Sequence, residues 1–201
     1  MQLLGNPEFG ELGNDLIALI NDASAIDSET YFINFDKLWT SPKFRGDLAS
    51  IVEKSLLLVT SNFDPNKTVL VSPNNLRKPF GLIPTVSCVS SKLGTYSAVW
   101  KEAGDVSTGK GIFLGPVDLP LDCFFFQDVI ARGTTILKIA PAIKKTAWQM
   151  KAYICMVNAS LTGNKFEKYI LELSTDLNMP TDLMSLHYIA ELVDDNINNF
   201  E

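Results

Sequence analysis

Apolar residues recur at helical spacing from Phe9 to Ile20, where Phe9, Leu12, Leu16, Ile17, Leu19 and Ile20 form one stripe that Asn21-Asp22 ends. This predicts a first helix. The next segment, YFINFDKL at 31–38, alternates apolar and polar side chains like a half-buried strand. Ser41-Pro42 then opens a second helix, because proline suits the first helical turn, and Phe44, Leu48, Ile51, Val52 and Leu56 share one face. Three short apolar runs read as buried strands: TVLVS (68–72), TYSAVW (95–100) and LDCFFFQ (121–127). Helical stretches at 81–94 and 133–149 follow the first and third of them, and AYICMVN (152–158) supplies a fourth strand. KYILELS (168–174) reads as an added edge strand and LHYIAELVDDNINNF (186–200) as a closing helix. Alternation of this kind predicts an α/β fold, a doubly wound and mostly parallel sheet with helices on both faces and right-handed connections.

Composition narrows the picture. The chain has 201 residues, 46% of them apolar, which suits one domain over 1–201 with a sizeable core. Seventeen basic and 23 acidic side chains give a net charge of −6, so the field of the whole molecule repels nucleic acid and anionic membranes, and an anionic ligand has to be captured locally. No apolar run approaches the roughly 18 residues of a membrane span, and a soluble, cytoplasmic protein is expected. One histidine, His187, and three scattered cysteines, Cys88, Cys123 and Cys155, argue against a zinc cluster or a disulfide framework and suit a reducing compartment. The cysteines lie in apolar runs and read as core residues, and His187, in LMSLHYIAEL, reads as part of a packed or surface helix.

In an open parallel sheet, ligands bind where the strands end, so chemistry is sought in the turns that follow them. CFFFQDVIARGTT (123–135) joins a buried strand to a helix. Gly133 allows close approach, Thr134 and Thr135 bring hydroxyls, and the free amides of a helix start complete a cradle for a phosphate monoester. Asp128, just ahead of the cradle, is placed to accept hydrogen bonds from sugar hydroxyls. The same residues also describe an ordinary turn capped by Asp128, and spacing alone does not choose between the two.

These thirteen residues resemble the phosphoribosyl pyrophosphate motif of type I phosphoribosyltransferases: four apolar residues, two acids, two apolar residues, then a small-residue loop closed by threonine. Asp128 matches the second acid, Gln127 stands at the first, and Ala131-Arg132-Gly133-Thr134-Thr135 matches the loop that holds the ribose phosphate in that family. YFINFDKLWTSPKFRGDLASIV (31–52) is similar to the N-terminal part of orotate phosphoribosyltransferases, and VLVSPNNLRKPFGLIPTVSCVSSKLG (69–94) resembles their strand, pyrophosphate-binding loop and helix. TYSAVWKEAG (95–104) sits where a strand leads into the mobile catalytic loop, so that the likeness runs from about residue 10 to 195.

The resemblance implies that a pyrimidine-like base attacks phosphoribosyl pyrophosphate and that magnesium-bound diphosphate leaves. It places Asp128 and Gln127 on the ribose, residues 131–135 on the phosphate, Arg77 and Lys78 on the diphosphate, and Lys101 as a catalytic loop cation. Magnesium would travel on the diphosphate, with Asp128 as the candidate protein contact. A homodimer and a hood built from about 1–40 and 160–201 are expected on the same ground. The chain departs from the pattern at Gln127, which is neutral, in the loop at 100–113, where Glu102 and Asp105 accompany Lys101 and Lys110, and at Val157-Asn158-Ala159, which lacks an arginine for the carboxylate of orotate. These departures speak against orotate itself. They also raise an alternative, a catalytically silent relative that binds a nucleotide or sugar phosphate and acts as a regulatory or binding module.

Overall fold

The computed structural model describes residues 2–26, 33–74, 81–102, 111–130, 134–159 and 185–193. Seven strands form one sheet in the order β1-β7-β6-β5-β2-β3-β4. They are β1 (Gln2–Gly5), β2 (Thr68–Asn74), β3 (Tyr96–Glu102), β4 (Gly111–Leu114), β5 (Asp122–Ile130), β6 (Gln149–Asn158) and β7 (Ser185–Val193). The five inner strands run parallel, and the four-residue strands β1 and β4 close the two edges antiparallel. Among the described residues five α-helices accompany them: α1 (Glu11–Asp22), α2 (Phe35–Thr40), α3 (Pro42–Val59), α4 (Ile83–Leu93) and α5 (Thr134–Ile143). The doubly wound, mostly parallel α/β sheet expected from the alternation is present.

Successive side chains of a strand point to opposite faces, and the central strands are apolar on both. Leu70, Phe124, Phe126, Ile154 and Met156 pack with Leu16 and Ile20 of α1, Leu48, Val52 and Leu56 of α3 and Val86 of α4. Val69, Val71, Phe125 and Tyr153 face the other way, onto Ile139, Ala142 and Ile143 of α5. The strands expected at 68–72, 95–100, 121–127 and 152–158 and the helices expected at 9–20, 81–94 and from Pro42 all form, with ends shifted by a few residues. The stretch 133–149 is divided, its helix ending at Ile143 and β6 beginning at Gln149.

Two expectations are corrected. The segment read as a strand over 31–38 contains helix α2, and Tyr31 and Phe32 lie outside the described residues. Asn34 is the reason: its side chain accepts from the Asp36 amide at 3.1 Å and caps the helix, and Phe35 and Leu38, buried three residues apart, fit a helix as well as Phe35 fits a strand. The segment read as a closing helix from 186 is instead β7, lying parallel beside β6 with Ile189, Ala190 and Leu192 in the core. A backbone ladder to β6 overrides a pattern that periodicity left ambiguous. Residues 194–200 and the expected edge strand at 168–174 lie outside the described residues, as do 160–184 of the expected hood. Strands β1 and β4 had no pattern of their own, being too short to show one. Cys88 is exposed on α4, whereas Cys123 and Cys155 are buried as expected.

Gly13 sets how closely α1 approaches the sheet edge. A Cβ there would lie 2.8 Å from Gly5 Cα and 2.9 Å from the Ile189 carbonyl oxygen, both backbone atoms that cannot rotate aside. Alanine would gain about 1 kcal/mol of helix propensity, against roughly 1–3 kcal/mol of overpacking. We expect overpacking to win, so that Gly13→Ala lowers the melting temperature by several degrees in thermal denaturation; an unchanged or raised value would contradict this packing.

Candidate functional site

Because β2, β3, β5, β6 and β7 are parallel, their carboxyl ends share one rim, marked by Asn74, Lys101, Ile130, Asn158 and Val193. Strand β5 is apolar from Cys123 to Phe126 and turns polar only at Gln127-Asp128, next to that rim. Both residues are nonetheless buried, 6% and 4% exposed. Buried polar groups require partners, and these have them.

Gln127 is held by its own sheet. Its Oε1 accepts from the Tyr153 hydroxyl on β6, and its Nε2 donates to the Val129 carbonyl at 2.7 Å. Tyr153 is in turn stacked on Phe125, with centroids 5.1 Å apart. Burial pushes the Tyr153 phenol well above 10.0, with Cys155 and Asp128 adding to the effect. A neutral amide serves this phenol without putting a second buried charge beside Asp128, which supplies a physical reason for glutamine where the motif has an acid. The carboxamide is thus engaged inside the sheet.

Asp128 is oriented from two sides. Its Oδ1 accepts from the Val129 amide at 2.8 Å, and its backbone carbonyl lies 3.8 Å from the Cys155 thiol. Its Oδ2 faces Gly81, where a Cβ would stand 3.9 Å away. The strand keeps its register with β6 here, Gln127 opposite Cys155 and Val129 opposite Val157, and the irregularity of this pair lies earlier, between Cys123 and Phe124.

Asp36 joins this corner, a residue that sequence reasoning missed. Its Oδ1 accepts from the Gly81 amide at 3.0 Å, bringing α2 onto the turn before α4. Gly81 has φ +53°, a left-handed conformation that favours glycine. Reading 31–38 as a strand concealed Asp36; the Asn34-x-Asp36 cap followed by a helical pair was the available signal.

The other candidates are spread more widely. Thr134 opens α5 and Thr135 is half-buried in its first turn, so the helix starts four residues after β5 ends. Ala131, Arg132 and Gly133 lie outside the described residues, and so do Arg77 and Lys78. Lys101 is exposed on β3, opposite Ile112 of β4. Trp100 is a packing residue, 1% exposed, with Gly111 under its ring. On the far part of the rim Asn158 donates to Glu191 Oε1 at 3.3 Å, and burial pushes the Glu191 carboxyl up. His187 Nδ1 lies 2.8 Å from Glu8 Oε1 and the ring meets Phe9 edge-on, away from Gln127 and Asp128 in sequence and partners.

This arrangement can be set beside known proteins. No protein-family model matches the sequence, and a search of curated proteins returns no significant match. Solved structures do match. The orotate phosphoribosyltransferase of Aeropyrum pernix is 11% identical with a TM-score of 0.57, over 90% of this chain and 93% of that one. The orotate phosphoribosyltransferase of Francisella tularensis is 16% identical with a TM-score of 0.53, over 86% and 84%. The adenine phosphoribosyltransferase of Trypanosoma brucei, solved with AMP, pyrophosphate and ribose-5-phosphate, is 11% identical with a TM-score of 0.56, over 83% and 70%. The chain has the type I phosphoribosyltransferase fold. Within this fold Gln127 and Asp128 lie near the carboxyl end of the central strand β5, which runs on to Ile130, and α5 begins at Thr134. Among the described residues no helix is long and apolar enough to cross a membrane, and no three His, Cys, Asp or Glu side chains group as metal ligands.

Three outcomes follow from these burials. Removing the hydroxyl in Tyr153→Phe leaves Gln127 Oε1 buried without its donor, at a cost of about 1–3 kcal/mol readable in chemical denaturation; no change would mean that the pair is not formed. Burial also pushes the Cys123 and Cys155 thiols above their ordinary value of 9.0. As pH rises past that value the unfolded chain gives up these protons while the folded chain keeps them, so stability, complete below it, falls as alkalinity increases. Correspondingly, Cys88 alone is expected to react with a thiol reagent at pH 8 in the native protein and all three cysteines after denaturation; reaction of all three in the native state would contradict their burial.

Proposed function

We propose that the chain transfers ribose 5-phosphate from phosphoribosyl pyrophosphate to a nitrogenous base with a pyrimidine-like ring. The observation that carries this reading is Asp128, held in a fixed orientation at the end of β5, directly ahead of the turn into α5, in a fold shared with enzymes of that chemistry. In the reaction the bond from the anomeric carbon to the diphosphate breaks, a bond to a ring nitrogen forms, and that nitrogen releases its proton. The charge of an oxocarbenium-like transition state requires little covalent help. The work of the protein is to hold the sugar, balance the leaving charge and exclude water.

The residues divide that work by position. Residues 131–135 would bind the 5-phosphate with the amides and hydroxyls of a helix start. Asp128 would accept from the ribose hydroxyls, and Gln127, engaged with Tyr153 and Val129, would hold the strand beneath it. Arg77 and Lys78 would meet the diphosphate, and Lys101 would reach in from the rim of β3. A single carboxylate at the motif fits a magnesium ion brought in on the diphosphate, where it would neutralise leaving charge, better than one caged by protein oxygens. Three free thiols suit a reducing cytoplasm, and a homodimer belongs to the same reading by likeness.

One observation favours a second reading. Gln127 is neutral and turned into the sheet, which leaves Asp128 as the motif's only acid, and a catalytically silent module that binds a nucleotide or sugar phosphate would have the same architecture. Calorimetry with phosphoribosyl pyrophosphate and magnesium, followed by pyrophosphate release across a panel of bases, separates the two. The transferase predicts saturable binding and release with at least one base, and binding without release for any base favours the silent module. Absence of binding at millimolar ligand removes both. Asp128→Asn is expected to weaken binding about tenfold or more, by loss of charge-assisted hydrogen bonds to the sugar; full affinity in this variant would show that the ligand sits elsewhere.

A further inference from the structure

We infer that Asp36 is a positioning residue for the sugar-binding acid and acts through Gly81, an inference that rests on the sugar-phosphate reading of Asp128. The two acids come from different elements, helix α2 and the central strand β5. Asp36 belongs to α2, a six-residue helix secured on every side: Asn34 caps it, Thr40 Oγ1 donates to the Asp36 carbonyl at 2.6 Å, and Phe35 and Leu38 are buried. From this anchored turn its Oδ1 reaches 45 residues along the chain to the Gly81 amide, at 3.0 Å.

Gly81 is where that contact becomes useful. It takes a left-handed conformation, φ +53°, and a Cβ added there would stand 3.9 Å from Asp128 Oδ2, so that about a methyl group's space separates the glycine from the carboxylate. The opposite oxygen, Oδ1, is held by the Val129 amide. The carboxylate of Asp128 thus has its own strand on one side, through the Val129 amide, and the Gly81 turn across a methyl-sized space on the other, and Asp36 holds that turn by accepting from the Gly81 amide. Losing the bond frees Gly81 and widens the space into which Asp128 can turn.

Charge adds a direction. Asp36 and Asp128, both near Gly81, offer carboxylate oxygens to hydroxyl donors, which suits a sugar diol. A phosphate belongs at the other end, with the helix-start amides of α5. Asp36 should then govern affinity for the sugar and leave affinity for phosphate alone untouched. Orotate or adenine specificity has no part in this effect.

The experiment measures binding of ribose 5-phosphate and of inorganic phosphate to the whole chain carrying Asp36→Ala, Asp36→Asn, Asp128→Asn, or Asp36→Ala with Asp128→Asn. Asp36→Ala is expected to weaken ribose 5-phosphate about tenfold while phosphate stays within about twofold, as expected for a small misplacement of a binding group. Asp36→Asn keeps an oxygen for the Gly81 amide and should restore most of the affinity. In the Asp128→Asn background Asp36→Ala should add nothing, because the two act in series. Should the alanine variant fail to fold, Asp36→Ser, too short to reach Gly81 but well suited to a helix start, takes its place with the same expected values. Equal losses for both ligands, asparagine as damaging as alanine, or additive effects in the double variant would overturn the inference. A native protein with no affinity for ribose 5-phosphate would instead overturn the sugar-phosphate reading, and the inference with it.

Discussion

A sheet covered by helices on both faces has room for polar side chains only where its strands run out. Strands β2, β5 and β6 follow this rule in their middle stretches, Val69 to Val71, Cys123 to Phe126 and Ala152 to Val157, where Tyr153 brings the one hydroxyl, and carry Asn74, Gln127-Asp128 and Asn158 toward their carboxyl ends. Among the described residues, Asp128 and Lys101, the groups argued to handle ligand, lie close to that rim. The position of the site therefore follows from the burial of the sheet, before any question of chemistry arises.

The rule also accounts for the most unusual residue of the motif. An acid at 127 would sit beneath the rim, beside Asp128, with a buried phenol as its neighbour. Glutamine keeps the hydrogen bond and sheds the charge. Tyr153, Gln127 and the Val129 carbonyl thus form a neutral stitch between β6 and β5. Above it stands one oriented carboxylate, and residues 127 and 128 serve different surroundings because successive side chains of a strand point to opposite faces.

The parts of the fold legible in the sequence were those whose local pattern and final burial agree. Val69, Leu70 and Val71 or Phe124, Phe125 and Phe126 announce a strand buried on both faces, and Leu48, Val52 and Leu56 announce a helix packed on one. The parts that were not legible depend on distant partners. β7 is a strand because β6 offers it a ladder, and β1 and β4 are strands because an edge accepts them. The site divides in the same way. Asp128 was found from its place before a glycine and two threonines, but the inward engagement of Gln127 depends on Tyr153, 26 residues later, and the part of Asp36 on Gly81, 45 residues later. No local pattern carries either contact.

The central claim is that the corner between β5 and α5 receives a pentose phosphate with its diol on Asp128. A crystal structure of the protein soaked with ribose 5-phosphate tests it directly. The account predicts the phosphoryl group on the amides leading into α5 and the ribose hydroxyls on the carboxylate of Asp128, with Gln127 still bonded to Tyr153. A sugar bound elsewhere, or a phosphate at that corner with its ribose turned away from Asp128, would contradict it.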